Sequence, residues 1–170
     1  MKKNLKNQIK KAIKSSGYSP EVTREFIQRL KQGYLTRDEN PITHFSTFFA
    51  AYDPKEKMVF IGHHKKSDLW LFNGGHIDKG ETLDQTIERE IWEEWGIVMK
   101  ADRIGGPHLL TLTDIDNNRQ LCKKHYDVWY FIEVDKNIFR VDQQLIDTEF
   151  YELSWKSVKE SKKLQPPLPC

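Results

Sequence analysis

The segment from residue 82 to residue 97 constrains the fold more than any other part of the chain. Thr82 and Gln85 have the spacing of a capping box, and Gly96 is the residue type that most often ends a helix in a left-handed conformation. Between these signals, apolar side chains recur at every fourth position: Leu83, Ile87, Ile91 and Trp95. The sequence therefore predicts a helix over residues 83–95 with one buried stripe, which another layer of structure must cover.

Apolar and aromatic runs on both sides of this helix have the length and composition of strands. The runs "HFSTFFAAY" (44–52) and "KMVFIGHH" (57–64) are separated by the turn-forming "DPKEK", which predicts a hairpin. The run "HYDVWYFIEV" (125–134) is nearly continuous in apolar and aromatic residues and is the clearest strand. Shorter strands are predicted over residues 68–72, 96–105, 107–115 and 148–155, followed by a brief helix over 157–163.

Strands outnumber helices, yet a long helix lies in the middle of the chain, so we expect an α/β fold with a mixed sheet and flanking helices. Two further helices are predicted at the N-terminus. The first is amphipathic and is ended by Gly17, and the second begins at Ser19 and Pro20 and runs to about Lys31. We divide the chain into a helical extension at residues 1–35, a main domain at 36–165 and a tail at 166–170.

The central helix carries an unusual group of acids. Within residues 88–94 there are four glutamates, and Arg89 is the only basic residue among them. Like charges that neighbour one another on a helix are destabilising. At about 100° per residue, Glu90, Glu93 and Glu94 fall within an arc of roughly 100° that borders the apolar stripe. Since burying uncompensated anions is costly, this arc predicts a bound divalent cation such as Mg²⁺, which prefers carboxylate oxygens.

The same segment resembles the signature of the Nudix hydrolases. That signature is a glycine, five residues, a glutamate and seven residues, then Arg-Glu, an aliphatic residue, one residue, Glu-Glu, one residue, a glycine and an aliphatic residue. Every fixed position is matched between Gly75 and Ile97. The resemblance implies the Nudix α/β/α sandwich built on a mixed sheet, with the two N-terminal helices added to it.

The resemblance also implies a role for individual residues of the signature. Glu90, Glu93 and Glu94 look like the metal ligands of the family, with Mg²⁺ as the expected ion and Mn²⁺ as a substitute. Glu81 and Arg89 resemble the internal ion pair that orients those ligands. Gly75 corresponds to the loop glycine that lets the backbone approach the metal and the diphosphate closely.

Two positions outside the signature extend or depart from the family pattern. Asn73 stands where the family commonly has proline, and we group it with the substrate-binding residues. Glu149 lies six residues before Trp155 on a predicted late strand, where many members place another acid. We predict that Glu149 is a further metal ligand or the base that activates water, which makes Glu93, Glu94 and Glu149 the expected catalytic residues. The alternative for Glu149 is an exposed glutamate at the end of a strand.

The activity implied by the resemblance is hydrolysis of a nucleoside diphosphate linked to another moiety. Metal ions held by the glutamates would neutralise the diphosphate and lower the pKa of an attacking water. One alternative is a nucleotide- or RNA-binding module that keeps the fold without turnover. A second is an enzyme of the isopentenyl-diphosphate isomerase type, which shares the fold. The identity of the nucleotide or other diphosphate substrate is not readable, because selectivity lies in variable loops.

Several side chains near the signature are compatible with two different roles. Lys65 and Lys66 either contact substrate phosphates or belong to a solvated turn. Trp70, with Trp129 and Tyr130, either stacks on a base or packs in the core. Trp92 faces away from the acidic arc and is expected to contact the N-terminal helices or a partner subunit. For the histidines at 63, 64 and 76 a transition-metal site is the less favoured reading, and Cys122 is expected to be a packed thiol.

Composition bears on location and partners. No apolar run is long enough to span a bilayer, and no apolar stretch follows the basic N-terminus as in a secretory signal. Cys122 and Cys170 lack metal-site spacing, so we expect no disulfide framework and predict a cytoplasmic location. Residues 1–33 carry nine Lys or Arg against two Glu, which fits a solvated surface or contact with RNA. A homodimer is compatible with the sequence.

Overall fold

A computed structural model describes residues 4–15, 19–116 and 121–164. Gly17, Cys170, residues 117–120 and the predicted tail at 166–170 lie outside these ranges. Seven strands form one sheet in the described chain. They are β1 (Thr43–Asp53), β2 (Met58–His64), β3 (Leu69–Leu71), β4 (Asn73–His76), β5 (Leu109–Asp114), β6 (Lys124–Glu133) and β7 (Phe150–Ser157).

The sheet is mixed, as the sequence predicts. Its main path runs β3-β2-β1-β6-β5, while β4 pairs with β1 and β7 pairs with β2. The long strands β1 and β6 are parallel and stay in register from Thr43 and Lys124 to Tyr52 and Glu133. The other pairs are antiparallel. Because β4 and β2 share one edge of β1, the chain turns back on β1 twice before it enters the central helix.

Six helices flank this sheet in the described residues: α1 (Leu5–Ser15), α2 (Pro20–Gln32), α3 (Leu83–Trp95), α4 (Ala101–Ile104), α5 (Gln143–Glu149) and α6 (Val158–Leu164). The central helix α3 begins and ends where the sequence predicts. Thr82 and Gln85 exchange both bonds of the capping box, and Gly96 has a left-handed φ of 69°. These two caps fix the direction in which the loop before α3 enters the helix.

The apolar stripe of α3 packs against the sheet and forms the centre of the core. Leu83, Ile87, Ile91 and Trp95 are all buried. Trp95 meets Phe49 of β1 edge-on, with ring centroids 4.7 Å apart. Burying four large apolar side chains on one face stabilises α3 by several kcal/mol, at about 1.5–3 kcal/mol for each side chain. This packing leaves the acidic arc at the edge of the core.

The two N-terminal helices contribute to the same core. Phe26 of α2 lies edge-on to Phe45 and Tyr126, with ring centroids 5.6 and 5.5 Å apart. The buried guanidinium of Arg29 donates hydrogen bonds to the carbonyl oxygens of Gly33, Tyr34 and Thr43, at 2.7, 2.6 and 2.6 Å. Since these bonds tie the end of α2 to the start of β1, the helices brace the sheet directly.

Two local predictions are wrong, and a third strand ends earlier than expected. Residues 96–105 contain the helical turn α4 and no strand, because the Glu88 carboxylate accepts a 3.0 Å bond from the Ala101 amide and starts a turn. The predicted strand over 68–72 is confirmed as β3, which ends at Leu71, and β4 follows it on a different partner. Helix α5 occupies 143–149, where no helix was expected, and its N-cap is Asp142.

None of the helices in the described ranges has both the length and the apolar character that a membrane-spanning segment requires.

Candidate metal and active site

The acidic residues of helix α3 differ in their exposure to solvent. Glu90 and Glu94 are buried, at 6% and 8% exposure, while the Glu93 side chain is 47% exposed. The three carboxylates therefore line one edge of α3 next to the β4 loop, and one of them faces solvent. The group has the hard oxygen donors that Mg²⁺ and Mn²⁺ accept, with an open side through which a substrate can enter.

The two buried carboxylates are poorly stabilised as anions. Burial raises the pKa of Glu90 to about 7, although Arg89 acts in the opposite direction. Burial raises the pKa of Glu94 to about 8, with Glu90 and Glu149 adding to the rise. Four carboxylates lie within 4 Å of the single guanidinium of Arg89, those of Asp78, Glu81, Glu90 and Glu93, and Glu94 has no basic partner among its hydrogen bonds in the described chain. A divalent cation among them would restore the charged form of the buried pair.

Arg89 organises the acidic group. Its Nε and Nη2 donate to the two oxygens of Glu81 at 2.8 and 3.0 Å. Its Nη1 donates to Glu90 at 2.8 Å and to Glu93 at 2.9 Å. Its Nη2 also donates to the carbonyl oxygen of His76 at 3.0 Å. The hydrogen bonds to Glu81 raise the pKa of Arg89 above its ordinary value, so the guanidinium keeps its charge.

Glu81 fixes the loop that precedes α3. Besides Arg89, its carboxylate accepts bonds from the Thr86 hydroxyl at 2.9 Å and from the Asp78 amide at 3.2 Å. These bonds outweigh the effect of burial and hold the pKa of Glu81 below its ordinary value. The loop from Asp78 to Glu81 is therefore locked onto the first turns of α3, which orients the neighbouring acids.

Glycines bring the loop backbone against the acids. A Cβ atom at Gly75 would overlap the Glu90 carboxylate, and one at Gly74 would overlap the carbonyl oxygen of Thr47. Gly74 also has a φ of 140°, which side-chain-bearing residues rarely adopt. The close approach of Gly75 to Glu90 requires glycine. The approach of this backbone to a metal and a diphosphate stays a prediction.

Asn73 holds Glu94 in place. The buried Asn73 amide nitrogen donates to Glu94 Oε2, and the Gly74 amide donates to Glu94 Oε1 at 3.1 Å. From the sequence, Asn73 is expected to be one of the substrate-binding residues. We revise that assignment, because the Asn73 side chain is buried and directed at a carboxylate of the acidic arc. At position 73 the resembled family commonly has proline, which has no side-chain donor. This chain instead has asparagine, whose amide donates a hydrogen bond.

Glu149 ends α5 and does not lie on a strand. The Asp142 amide that opens α5 donates to the carbonyl oxygen of Trp95 at 2.8 Å, which sets α5 against the end of α3. Glu149 is exposed, and its charge raises the pKa of both Glu90 and Glu94. The structure thus places Glu149 near enough to the buried acids to interact electrostatically with them.

The remaining candidate residues lie around the edge of β2 and β3. The Lys65 ammonium donates to the carbonyl oxygen of Asp147 at 2.6 Å, and Lys66 is exposed. Trp70 stacks on His63, with ring centroids 5.6 Å apart, and lies 4.8 Å from the Lys156 ammonium. These contacts give Trp70 and Lys65 partners within the chain, and a substrate-binding role for either residue stays a prediction.

The other aromatic side chains have separate environments. Tyr130 is buried in the core. Trp129 stacks on Phe48 at 5.0 Å between centroids and lines an apolar groove of about 480 Å³ on the sheet. Trp92 remains 56% exposed, so the N-terminal helices do not cover it.

The sequence of this chain matches a known protein family. The model of the family described as "NUDIX domain" matches residues 43–168, which begins at β1 and leaves α1 and α2 outside the match. A search among curated proteins finds no match.

Several solved structures share the fold. A MutT protein from Methanosarcina mazei Go1 is 20% identical, with a TM-score of 0.57, and the match covers 75% of this chain and 87% of that one. The dihydroneopterin triphosphate pyrophosphohydrolase of E. coli is 19% identical, with a TM-score of 0.51 and coverage of 71% and 85%. The Ap4A hydrolase of C. elegans is 13% identical, with a TM-score of 0.52 and coverage of 71% and 84%. At these identities the likeness shows the fold.

Proposed function

The chain belongs to the Nudix hydrolase family, and hence to the hydrolases that act on acid anhydrides, and we propose that it is a Mg²⁺-dependent pyrophosphohydrolase. Its substrate in this proposal is a nucleotide or a nucleoside-diphosphate derivative. The observation that carries the proposal is the pair of buried carboxylates, Glu90 and Glu94. Both have pKa values raised by burial, and both lie beside the half-exposed Glu93.

The proposed metal ligands are Glu90, Glu93 and Glu94, with Glu149 as a candidate for a fourth. When bound there, Mg²⁺ supplies positive charge to the diphosphate and acidity to water. Mn²⁺ has the same ligand preference and would substitute for it. The chain prepares the site in advance, since Arg89 and Asn73 hold three of these carboxylates in fixed directions.

The remaining residues orient the substrate and move the proton. Gly75 lets the loop backbone lie against the acids, so a diphosphate group can approach the carboxylate edge closely. Glu149 is exposed and interacts electrostatically with Glu90 and Glu94, and as the alternative to a fourth ligand we assign it the role of general base. Its carboxylate oxygen would take the proton of the water that attacks phosphorus. In this proposal the oxygen of that water bonds to one phosphorus of the diphosphate as the bridging P–O bond breaks, and the leaving phosphate takes the electrons of that bond and would depart past the exposed Glu93 side chain.

The experiment that tests this proposal is hydrolysis of a panel of diphosphate compounds with Mg²⁺ in ¹⁸O-labelled water. The expected result is one ¹⁸O atom in a phosphate product, with no reaction in EDTA. Glu93→Gln and Glu94→Gln are expected to reduce the rate by at least about 100-fold. Glu88→Gln is the matched control, because Glu88 lies on α3 but bonds Lys100 at 2.8 Å.

Full activity of both Glu93→Gln and Glu94→Gln would overturn the site assignment. Binding of nucleotides or of RNA without turnover of any compound would favour the non-catalytic alternative. Rearrangement of a diphosphate without label uptake would favour an isomerase.

A further inference from the structure

A second cluster of metal-binding side chains lies at the start of β1 and β6, on the far side of β4 from the carboxylates. It contains His44 of β1, Cys122 before β6 and His125 of β6, all of them buried. One ligand atom from each residue can be chosen so that all three lie within 4.8 Å of one another. None of these residues belongs to the acidic site.

The fold brings the two histidines together through strand register. His44 and His125 are direct partners in the parallel pairing of β1 with β6, although 80 residues separate them in the chain. Their ring centroids lie 4.9 Å apart. The segment before β6 is held to the start of β1 by a 2.8 Å bond from the Lys123 amide to the Ile42 carbonyl oxygen, which places Cys122 beside His44.

The distance between thiol and imidazole fits a tetrahedral metal site. His44 Nε2 lies 3.7 Å from Cys122 Sγ. Zinc binds sulfur at about 2.3 Å and imidazole nitrogen at about 2.0–2.1 Å, so tetrahedral angles put the two atoms about 3.6 Å apart. The His44–Cys122 edge therefore already has the required length, and since the three ligand atoms lie within 4.8 Å of one another, the other edges would have to shorten by at most about 1.5 Å.

Hydrogen bonds hold His44 in the tautomer that a metal needs. His44 Nδ1 lies 3.0 Å from the carbonyl oxygen of Asn40, which can only accept, so Nδ1 carries the proton. The lone pair on Nε2 then faces Cys122. On the other histidine, Nδ1 lies 4.0 Å from the buried carboxylate of Asp127. Backbone carbonyls and carboxylates behind imidazole ligands are the usual second layer of a metal site.

Burial also keeps the imidazoles in the neutral form that coordinates metals. Burial lowers the pKa of His44 below its ordinary value and lowers the pKa of His125 to about 4. The same burial raises the pKa of the Cys122 thiol. A bound metal would reverse this last effect, because a coordinating thiol is deprotonated outright.

We propose that His44, Cys122 and His125 form a transition-metal site that takes Zn²⁺ and is separate from the carboxylate site. The donors are two imidazole nitrogens and a thiolate, which select zinc over Mg²⁺, whereas the oxygen donors of the acidic arc select Mg²⁺. Three protein ligands leave the fourth position for a water molecule. The ion would join β1, β6 and the segment before β6 behind the β4 loop.

His76 is a neighbour of this site and not a ligand. Arg37 Nη1 lies 3.2 Å from His76 Nδ1, and since arginine can only donate, this nitrogen is an acceptor. The proton is therefore on His76 Nε2, which lies 3.2 Å from His125 Nε2 and donates to it in the metal-free chain. An ion bound through His125 Nε2 would take the place of this hydrogen bond. Through its carbonyl oxygen, His76 also accepts a bond from Arg89. The zinc site is thus connected to the acidic site by one residue.

The test uses the full-length protein freed of metal, with Co²⁺ as the spectroscopic probe and excess Mg²⁺ to occupy the carboxylates. The expected result is one Co²⁺ per chain with tetrahedral ligand-field absorption and a sulfur-to-cobalt charge-transfer band, both removed by stoichiometric Zn²⁺. Cys122→Ser should abolish the charge-transfer band. His44→Gln and His125→Gln should weaken Co²⁺ binding at least about tenfold.

Three controls keep the proposal falsifiable. His76→Ala and Glu93→Gln should retain the band, because neither residue contributes a ligand. Bound Zn²⁺ should also protect Cys122 of the wild-type protein from alkylation, as located by peptide mass, which requires no variant to fold. Absence of the charge-transfer band in wild-type protein, or equal alkylation of Cys122 with and without Zn²⁺, would overturn the proposal. Neither readout depends on hydrolysis, so the two proposals fail independently.

Discussion

The side-chain amide of Asn73 donates a hydrogen bond to Glu94 Oε2 in the interior of the protein, where both residues are buried. Together with the Gly74 amide on Oε1, this bond fixes both oxygens of Glu94, one of the two buried acids of α3. Asn73 is the first residue of β4, so the strand itself positions the carboxylate. The link between β4 and α3 is therefore a bond between a strand residue and a proposed metal ligand.

Asn73→Ala should weaken metal binding while the fold persists. Without the amide, Glu94 loses a bond that lowers its pKa, and its carboxylate is free to rotate. We expect the Mg²⁺ concentration for half-maximal activity to rise about 10- to 100-fold, as for other residues that support metal ligands. Asn137→Ala, on an exposed loop, is the matched control. An unchanged Mg²⁺ requirement would show that Glu94 needs no orientation by Asn73.

The Arg89–Glu81 pair should behave as one unit. Arg89→Lys keeps the charge but loses the two parallel bonds to Glu81, and Glu81→Gln weakens the same two bonds. Each single variant should lower kcat/KM about 10- to 100-fold, and the double variant should fall little further. The measurement is a double-mutant cycle on activity, with circular dichroism as the check on folding. Additive losses would mean that the two side chains act separately.

The helix and the order of its acids were predictable because their determinants are local. The capping box, Gly96 and the apolar stripe of α3 all lie within sixteen residues, and each signal acts over one turn. The exposure of Glu93 and the burial of Glu94 depend on how closely α3 packs against β1 and β4. The contact of Trp95 with Phe49 sets this distance, and helical periodicity alone does not predict that contact.

The features that sequence analysis missed depend on distant pairing. The break between β3 and β4 arises because the two strands choose different partners, β2 and β1. The His44–His125 contact depends on the register of a parallel pair, for which no turn supplies a local signal. Cysteine spacing gave no metal signature because the other two ligands come from separate strands. Glu149 was placed on a strand because the Asp142 cap of α5 was not recognised.

The buried acids should make metal-free protein less stable as pH rises. Glu94 has a folded pKa of about 8, above that of the unfolded chain, so its folded form holds a proton over this interval. Stability from this group is fully present below about pH 4.3 and is lost as pH rises toward 8, over a range on the order of a few kcal/mol. In EDTA, wild-type Tm should fall relative to Glu94→Gln between pH 6.5 and 8.

The difference in Tm between the wild type and Glu94→Gln isolates the contribution of the Glu94 carboxyl group. Buried His76 and His125 have pKa values lowered to about 3 and about 4, so they act in the opposite direction below pH 6.5 and equally in both proteins. Adding Mg²⁺ should raise wild-type Tm more at pH 8 than at pH 6.5, because the ion binds the ionised carboxylates. A parallel pH dependence of the two proteins would show that Glu94 ionises as readily in the folded chain as in the unfolded one.

Glu149→Gln should separate catalysis from metal binding. If the Glu149 carboxylate accepts the proton of the attacking water, its removal lowers kcat by about 100-fold or more and leaves the Mg²⁺ requirement nearly unchanged. A large rise in the Mg²⁺ requirement would instead make Glu149 a ligand. Glu152→Gln is the matched control, because Glu152 is an exposed acid of β7 that bonds Ser154 and Lys156 at 2.6 and 3.2 Å. Equal activity of both variants would remove Glu149 from the reaction, and the water would then have to lose its proton to a residue of α3.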